Sequence, residues 1–373
     1  MRPLPLLLAP ALAAALAIPA AARAQMPGTP TAGQGPALPE SALVARLSAA
    51  LDSLARRDEF SGVVVLARGG VPVFQRELGY ADREHKVPNR VDTGFNLGSI
   101  NKVFTATAIR QLAAAGKLDL DSTLAKYWPD YPNADIARRV TIRQILNMES
   151  GIGGDIFGAP PGGTRHDVRH NRDYVQLFAS EPLHFEPGAR REYSNAGYVV
   201  LGQVVERVSG EDYYEYVRRH IYEPAGMTRT AAFPADSLPP NTAIGYTRAG
   251  AAGSDDASPL HRNTDLLPGR GSSAGGGYAT ARDLLSFLAA VRTGRIAGAP
   301  QPGLGVAGGA PGINAVLEGA LPGGYDLVVL TNLDPPAAQA VGRRVREWLG
   351  AADAPAGQVI RAGQPPAPVP PRP

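Results

Sequence analysis

Val63-Val64-Val65-Leu66-Ala67-Arg68-Gly69-Gly70-Val71-Pro72-Val73-Phe74 reads as two apolar, β-branched runs joined at a Gly-Gly pair, the pattern of a tight β-hairpin. A second hairpin signal stands near the other end, where Ile313 to Leu317 and Tyr325 to Thr331 flank Pro322-Gly323-Gly324, and a helix is predicted from Pro336 to Leu349. Ahead of the first hairpin, Leu43, Leu47, Leu51 and Leu54 recur every three to four positions behind Pro39, which predicts an amphipathic helix over residues 41–57. Both ends of the chain therefore supply strands and a helix.

The middle reads as helical. Asn101 to Ala115 is stopped by Gly116, Thr141 to Asn147 opens on a Thr-x-x-Gln capping box, Ala196 to Val208 is stopped by Gly210, and Thr280 to Val291 opens on Thr-x-x-Asp. The expected class is α+β, of the α/β sandwich type. One antiparallel sheet built from both ends is faced by the terminal helices, and a mostly helical lobe is inserted between its halves. The expected folded body covers residues 40–350.

The flanks read differently. Residues 1–24 carry Arg2, an Ala/Leu-rich run from Leu6 to Ala22, and small residues at Ala22 and Ala24, the pattern of a cleavable signal peptide. A mature chain starting near Gln25 and a periplasmic or secreted location are the corresponding expectations. No later stretch is long and apolar enough to span a bilayer, so no stable membrane insertion is expected once the signal is removed. Residues 25–39 are rich in Pro, Gly and Thr, and residues 351–373 end in a Pro/Ala tract, so both are expected to be flexible.

With 373 residues, 44% of them apolar, the chain can bury a large core, and with no Cys that core needs no disulfide. The same absence removes thiolate chemistry, Cys-based zinc sites and thioether lipid anchoring. The formal charge of +3 falls to +1 once Arg2 and Arg23 are removed, which gives no reason to expect nucleic acid or an anionic membrane as partner.

In Gly98-Ser99-Ile100-Asn101-Lys102 the serine stands where a loop becomes an apolar helix, at the positive end of its dipole. Lys102 follows one turn later on the same face. A lysine desolvated there can fall in pKa and take the serine's proton. The choice of cation adds weight: 37 residues are Lys or Arg and only four are Lys, so a lysine here points to chemistry that a permanently charged Arg cannot do. A second constellation, Tyr193-Ser194-Asn195, lies after Glu186-Pro187-Gly188 at the mouth of a predicted helix. A phenol between two positive groups can shuttle a proton, and the Asn amide can orient Lys102 or a substrate carbonyl.

The run from Pro187 through Tyr198, with Ser99-x-x-Lys102 and Tyr193-x-Asn195, resembles the beta-lactamase-related serine hydrolases: class C beta-lactamases, D-Ala-D-Ala carboxypeptidases, D-aminopeptidases and related esterases. The resemblance extends through residues 145–151, 223–227, 274–284 and 330–332. It implies a beta-lactamase/transpeptidase-like fold, with Ser99 the acylated nucleophile, Lys102 its base partner and Tyr193 the proton relay. It further implies that Asn195 positions the substrate amide, and that an oxyanion hole forms from the Ser99 N–H and an edge-strand N–H, here that of Gly309 beside Gly308. Neither a metal nor an organic cofactor is implied, and the expected partner is a small-molecule or peptide substrate. Such a site would hydrolyse a D-amino-acid peptide, a beta-lactam or a small ester.

One departure stands out. The family's third box, a Lys or His followed two residues later by Gly, falls on Val306-Ala307-Gly308, and the stretch from Gly294 to Gly309 is short. The expectation is therefore a preference for neutral esters or amides, the alternative being a degenerate, penicillin-binding-protein-like binder without turnover. Two rival motifs fail. Gly271-Ser272-Ser273-Ala274-Gly275 matches a Gly-x-Ser-x-Gly elbow, but the last histidine, His261, precedes it and no apolar strand leads into it. His166 and His170 have i, i+4 spacing but follow Pro160-Pro161-Gly162-Gly163 without a carboxylate-rich pattern, so they read as a solvated loop or helix start.

Overall fold

The computed structural model describes residues 37–249, 259–300 and 303–351. The predicted signal segment, residues 25–36 of the predicted linker and residues 352–373 of the predicted tail lie outside the described residues.

Helix α1 (Glu40–Arg56) buries Leu43, Leu47, Leu51 and Leu54 along one stripe, each contributing about 2 kcal/mol by leaving water. Strands β1 (Gly62–Arg68) and β2 (Val71–Leu78) form the first hairpin. Helices α2 (Asn101–Ala114), α3 (Ile142–Leu146), α4 (Asn171–Val175), α5 (Asn195–Ser209) and α6 (Ala281–Arg292) follow. The chain then returns to the sheet through β3 (Gly305–Ala310), β4 (Ile313–Leu321) and β5 (Tyr325–Thr331) and closes on α7 (Ala337–Trp348).

The sheet order is β2-β1-β5-β4-β3. The pairing is antiparallel throughout, with Val65 opposite Val328, Val316 opposite Val329 and Gly309 opposite Asn314. The first and last hairpins thus meet at the β1–β5 seam. Alternation along β1 decides the layering: Val64 and Leu66 join α1 and α7 in one core, while Val63 and Val65 join α2 and the helical lobe in another. Because β1, β4 and β5 are covered on both faces, they read as continuous apolar runs. Helix α2 is buried all round from Asn101 to Ile109, so it threads the interior beneath the sheet.

Local signals explain most helix ends. The Thr141 box with Gln144 closes on both sides, and Gly210 ends α5 in the left-handed conformation. The box predicted at Thr280 closes only halfway. Thr280 Oγ1 accepts from Asp283 N at 3.1 Å, but the Asp283 carboxylate turns instead to Thr230 Oγ1 at 2.6 Å and Arg229 N at 2.8 Å. Two tertiary donors outcompete the single local one.

Candidate active site

Ser99 sits in a single 3-10 turn, Gly98–Ile100, just ahead of α2. The turn requires Gly98, whose φ is +50°, and its N–H donates to Asn96 Oδ1 at 2.9 Å. On the other side β3 crosses so closely that a Cβ on Gly308 would lie 2.0 Å from Leu97 O and 2.8 Å from Ser99 N. A Cβ on Gly98 would lie 2.9 Å from Gly309 N. The two glycines therefore let the free edge of the sheet touch the turn carrying the serine.

Lys102 is 2% exposed. Its Nζ donates to Ala274 O at 2.5 Å and Asn195 Oδ1 at 2.7 Å, and lies 3.3 Å from Ser99 Oγ. Among the described residues it has no carboxylate partner. With nothing to offset the loss of water, burial pulls its pKa down to about 7. Two of its hydrogens are then taken by the Asn195 and Ala274 oxygens, which leaves the lone pair of the neutral amine for the Ser99 hydroxyl.

Tyr193 and Asn195 flank Ser194, the N-cap of α5. Ser194 Oγ accepts from Gly197 N at 2.8 Å and donates to Ile152 O at 2.6 Å, so the cap pins both neighbours. Tyr193 Oη lies 2.5 Å from Ser99 Oγ, and its ring centroid is 4.8 Å from Lys102 Nζ. Tyr193 is half exposed, and the burial it does undergo raises the phenol's pKa, partly offset by the bond to Ser99. The phenol is thus a proton donor at neutral pH rather than a base.

The structure brings Ser99, Lys102, Tyr193 and Asn195 into direct contact. Gly308 and Gly309 abut the turn that carries Ser99. Val306 is partly buried against the helical core and is not among the residues lining the adjoining cavity. That cavity, about 540 Å³, opens beside Ser99, Tyr193 and Asn195 and reaches β3 at Gly309 and Ala310.

Sequence reasoning missed the Ala274 carbonyl, because a backbone acceptor leaves no mark in residue type. It also left Ser273 without a role once the elbow reading had failed. Ser273 is wholly buried, with Oγ 2.6 Å from Asn171 Oδ1 and 2.8 Å from Tyr198 O, while Thr105 Oγ1 donates to Ser273 O at 2.6 Å. A serine so enclosed cannot reach a substrate, which disposes of the elbow reading. It anchors the loop from which Lys102 is held. His166 lies in a 3-10 turn and His170 is the N-cap of α4, facing Asp173.

A family model described as Beta-lactamase matches residues 44–352. The chain is 33% identical over 237 residues to the putative penicillin-binding protein PbpX of Bacillus subtilis, covering 64% of this chain and 56% of that protein. It is 36% identical over 204 residues to the esterase EstB of Burkholderia gladioli, covering 51% of this chain and 52% of that one. The chain spans about half the length of these curated relatives. Among solved structures, the D-amino acid amidase of Ochrobactrum anthropi superposes with a TM-score of 0.70 at 25% identity, covering 83% of this chain and 98% of that one.

Proposed function

The chain belongs to the beta-lactamase family, and we propose that it is an exported serine hydrolase cleaving an ester or amide through an acyl-enzyme on Ser99. The observation that carries this reading is Lys102: a buried amine without a carboxylate, drawn down to about 7 and aimed at the Ser99 hydroxyl. Relatives named esterase and D-amino acid amidase support the reaction class, and residues 1–24 support export.

The steps follow from this geometry. Lys102 takes the Ser99 proton as Oγ attacks the carbonyl carbon. The carbonyl oxygen becomes an oxyanion facing the N–H groups of Ser99 and Gly309, donors of a kind worth about 3 kcal/mol each. As the intermediate collapses, Tyr193 gives its proton to the leaving oxygen or nitrogen and is reprotonated from Lys102. Water then attacks the acyl-enzyme, its proton leaves through the same pair, and Ser99 is released. With Val306 where the family's cation would bind a leaving-group carboxylate, neutral leaving groups are favoured.

Val306 also supports a second reading, a binder that keeps the fold without turnover. Hydrolysis of a p-nitrophenyl ester by residues 25–373, measured beside a folded Ser99→Ala variant, separates the two. A rate abolished by the substitution supports the hydrolase. Equal inactivity of both proteins moves the binder ahead.

A further inference from the structure

The cavity beside Ser99 is asymmetric in charge. Among the described residues its lining includes two arginines, Arg165 and Arg270, and no Asp or Glu. Among the described residues neither arginine has a carboxylate within ion-pair distance, whereas Arg169 pairs with Asp236 and Arg229 with Asp92. Glu215 feels the charge of Arg270 but is bonded to Arg218. Arg165 spends one N–H on Leu266 O at 3.1 Å and Arg270 one on Ala232 O at 2.7 Å. A guanidinium carries five donors, so most of both sets stay unspent.

The two arginines are also held in place by their backbones. Gly269 N donates to Arg165 O and Arg270 N donates to Val168 O, both at 3.1 Å, so the two segments are zipped side by side. The Arg270 guanidinium lies 3.6 Å from the centroid of the Tyr214 ring, whose hydroxyl is tied to Gly271 O at 2.8 Å. The same lining includes the apolar side chains of Ile156, Phe157, Phe233 and Leu267. Two positive charges with no counter-ion among the described residues, in a cavity whose lining is largely apolar, suit an anion on a hydrocarbon spacer.

We propose that Arg165 and Arg270 form a carboxylate-binding subsite for the acyl half of the substrate, so that the preferred substrate is an ester or amide whose acyl chain ends in a carboxylate. The proposal rests on the hydrolase reading for the identity of the scissile bond. The side is assigned by the cavity, which meets β3 at Gly309 and Ala310 and continues to Pro311, past the oxyanion position as seen from Val306. The two ends of the substrate are then read oppositely, with an anion on the acyl side and a neutral leaving group.

The test compares the 4-nitrophenyl monoester of adipate, with its free carboxylate, and the same compound as its ω-methyl ester. The expected kcat/KM ratio favours the acid by about tenfold, the scale of one charge-assisted hydrogen bond. It should shrink with added salt and fall toward one in Arg165→Gln. Arg165→Gln is the informative variant if loss of the Tyr214 stacking misfolds Arg270→Gln. A second readout needs no turnover: monomethyl adipate should raise the melting temperature of Ser99→Ala, dimethyl adipate should not, and the added substitution Arg165→Gln should remove the shift. Ser99-dependent hydrolysis without preference for the acid overturns the subsite and leaves the hydrolase standing. If neither ester is turned over, the hydrolase reading fails, and the presence or absence of the melting shift still decides the subsite.

Discussion

Ser273 Oγ, sealed from solvent, lies 2.6 Å from Asn171 Oδ1, and this contact between the start of α4 and the Gly-rich loop sets where the Ala274 carbonyl stands. Asn171 completes the brace by accepting from Ser273 N at 3.1 Å and donating to Val199 O at 2.9 Å. Lys102 hangs from the very next carbonyl. The base of the site is thus positioned by residues that never meet the substrate.

Ser273→Ala should therefore cost about 1–3 kcal/mol of stability, since it leaves Asn171 partly unpaired in the interior. It should lower kcat by roughly tenfold, as a displaced catalytic group does, with KM little changed. Urea unfolding and steady-state kinetics on a p-nitrophenyl ester check both. A folded variant with unchanged kcat would show that Ser273 does not position the base.

In the proposed mechanism the neutral form of Lys102 is the base, so kcat/KM for a neutral ester should rise with pH and level off above about 7. Lys102→Arg, which cannot lose its proton, should remove that limb and lower the rate by about 10²–10⁴. Stability carries the same signature. Between about 7 and the ordinary lysine value the unfolded chain holds the extra proton, so this site's contribution to stability rises with pH across that window. Lys102→Met should consequently gain most melting temperature at pH 6 and least at pH 10. A gain that grows with pH would contradict the assignment.

Gly308→Ala places a methyl 2.0 Å from Leu97 O and 2.8 Å from Ser99 N. Either the edge strand or the turn carrying the serine must retreat, and a shift of that size should lower kcat/KM by about 10². Circular dichroism should show the fold retained, and labelling of Ser99 by a fluorophosphonate probe should slow in parallel. Unchanged labelling would mean that β3 gives way without disturbing the nucleophile.

Val306→His restores a cation-capable side chain where the family carries one. It should shift turnover of a D-Ala-D-Ala peptide relative to its amidated form toward the acid by about tenfold. Because Val306 is partly buried against the core, the substitution should cost about 1–3 kcal/mol. An unaltered acid-to-amide ratio, with the variant folded, would show that this position does not read the leaving group.

The chain's own pattern determined the layers. Two hairpins with glycine turns, Leu43 to Leu54 at helical spacing, and helix starts and stops such as Thr141 and Gly210 act over a few residues, and short-range physics is what a sequence displays. It also determined which side chains could do chemistry, because a lysine one turn beyond a serine needs only the helix repeat. Tertiary structure alone decided the rest: that the two hairpins meet at the β1–β5 seam, that Ala274 offers its carbonyl to Lys102, that Asp283 abandons its local cap for Thr230, and that Arg165 and Arg270 share a cavity with Ser99. Each of these joins residues far apart in the chain through backbone groups or burial. Backbone atoms are the same at every position, and burial belongs to the assembled fold, so neither is written in residue type.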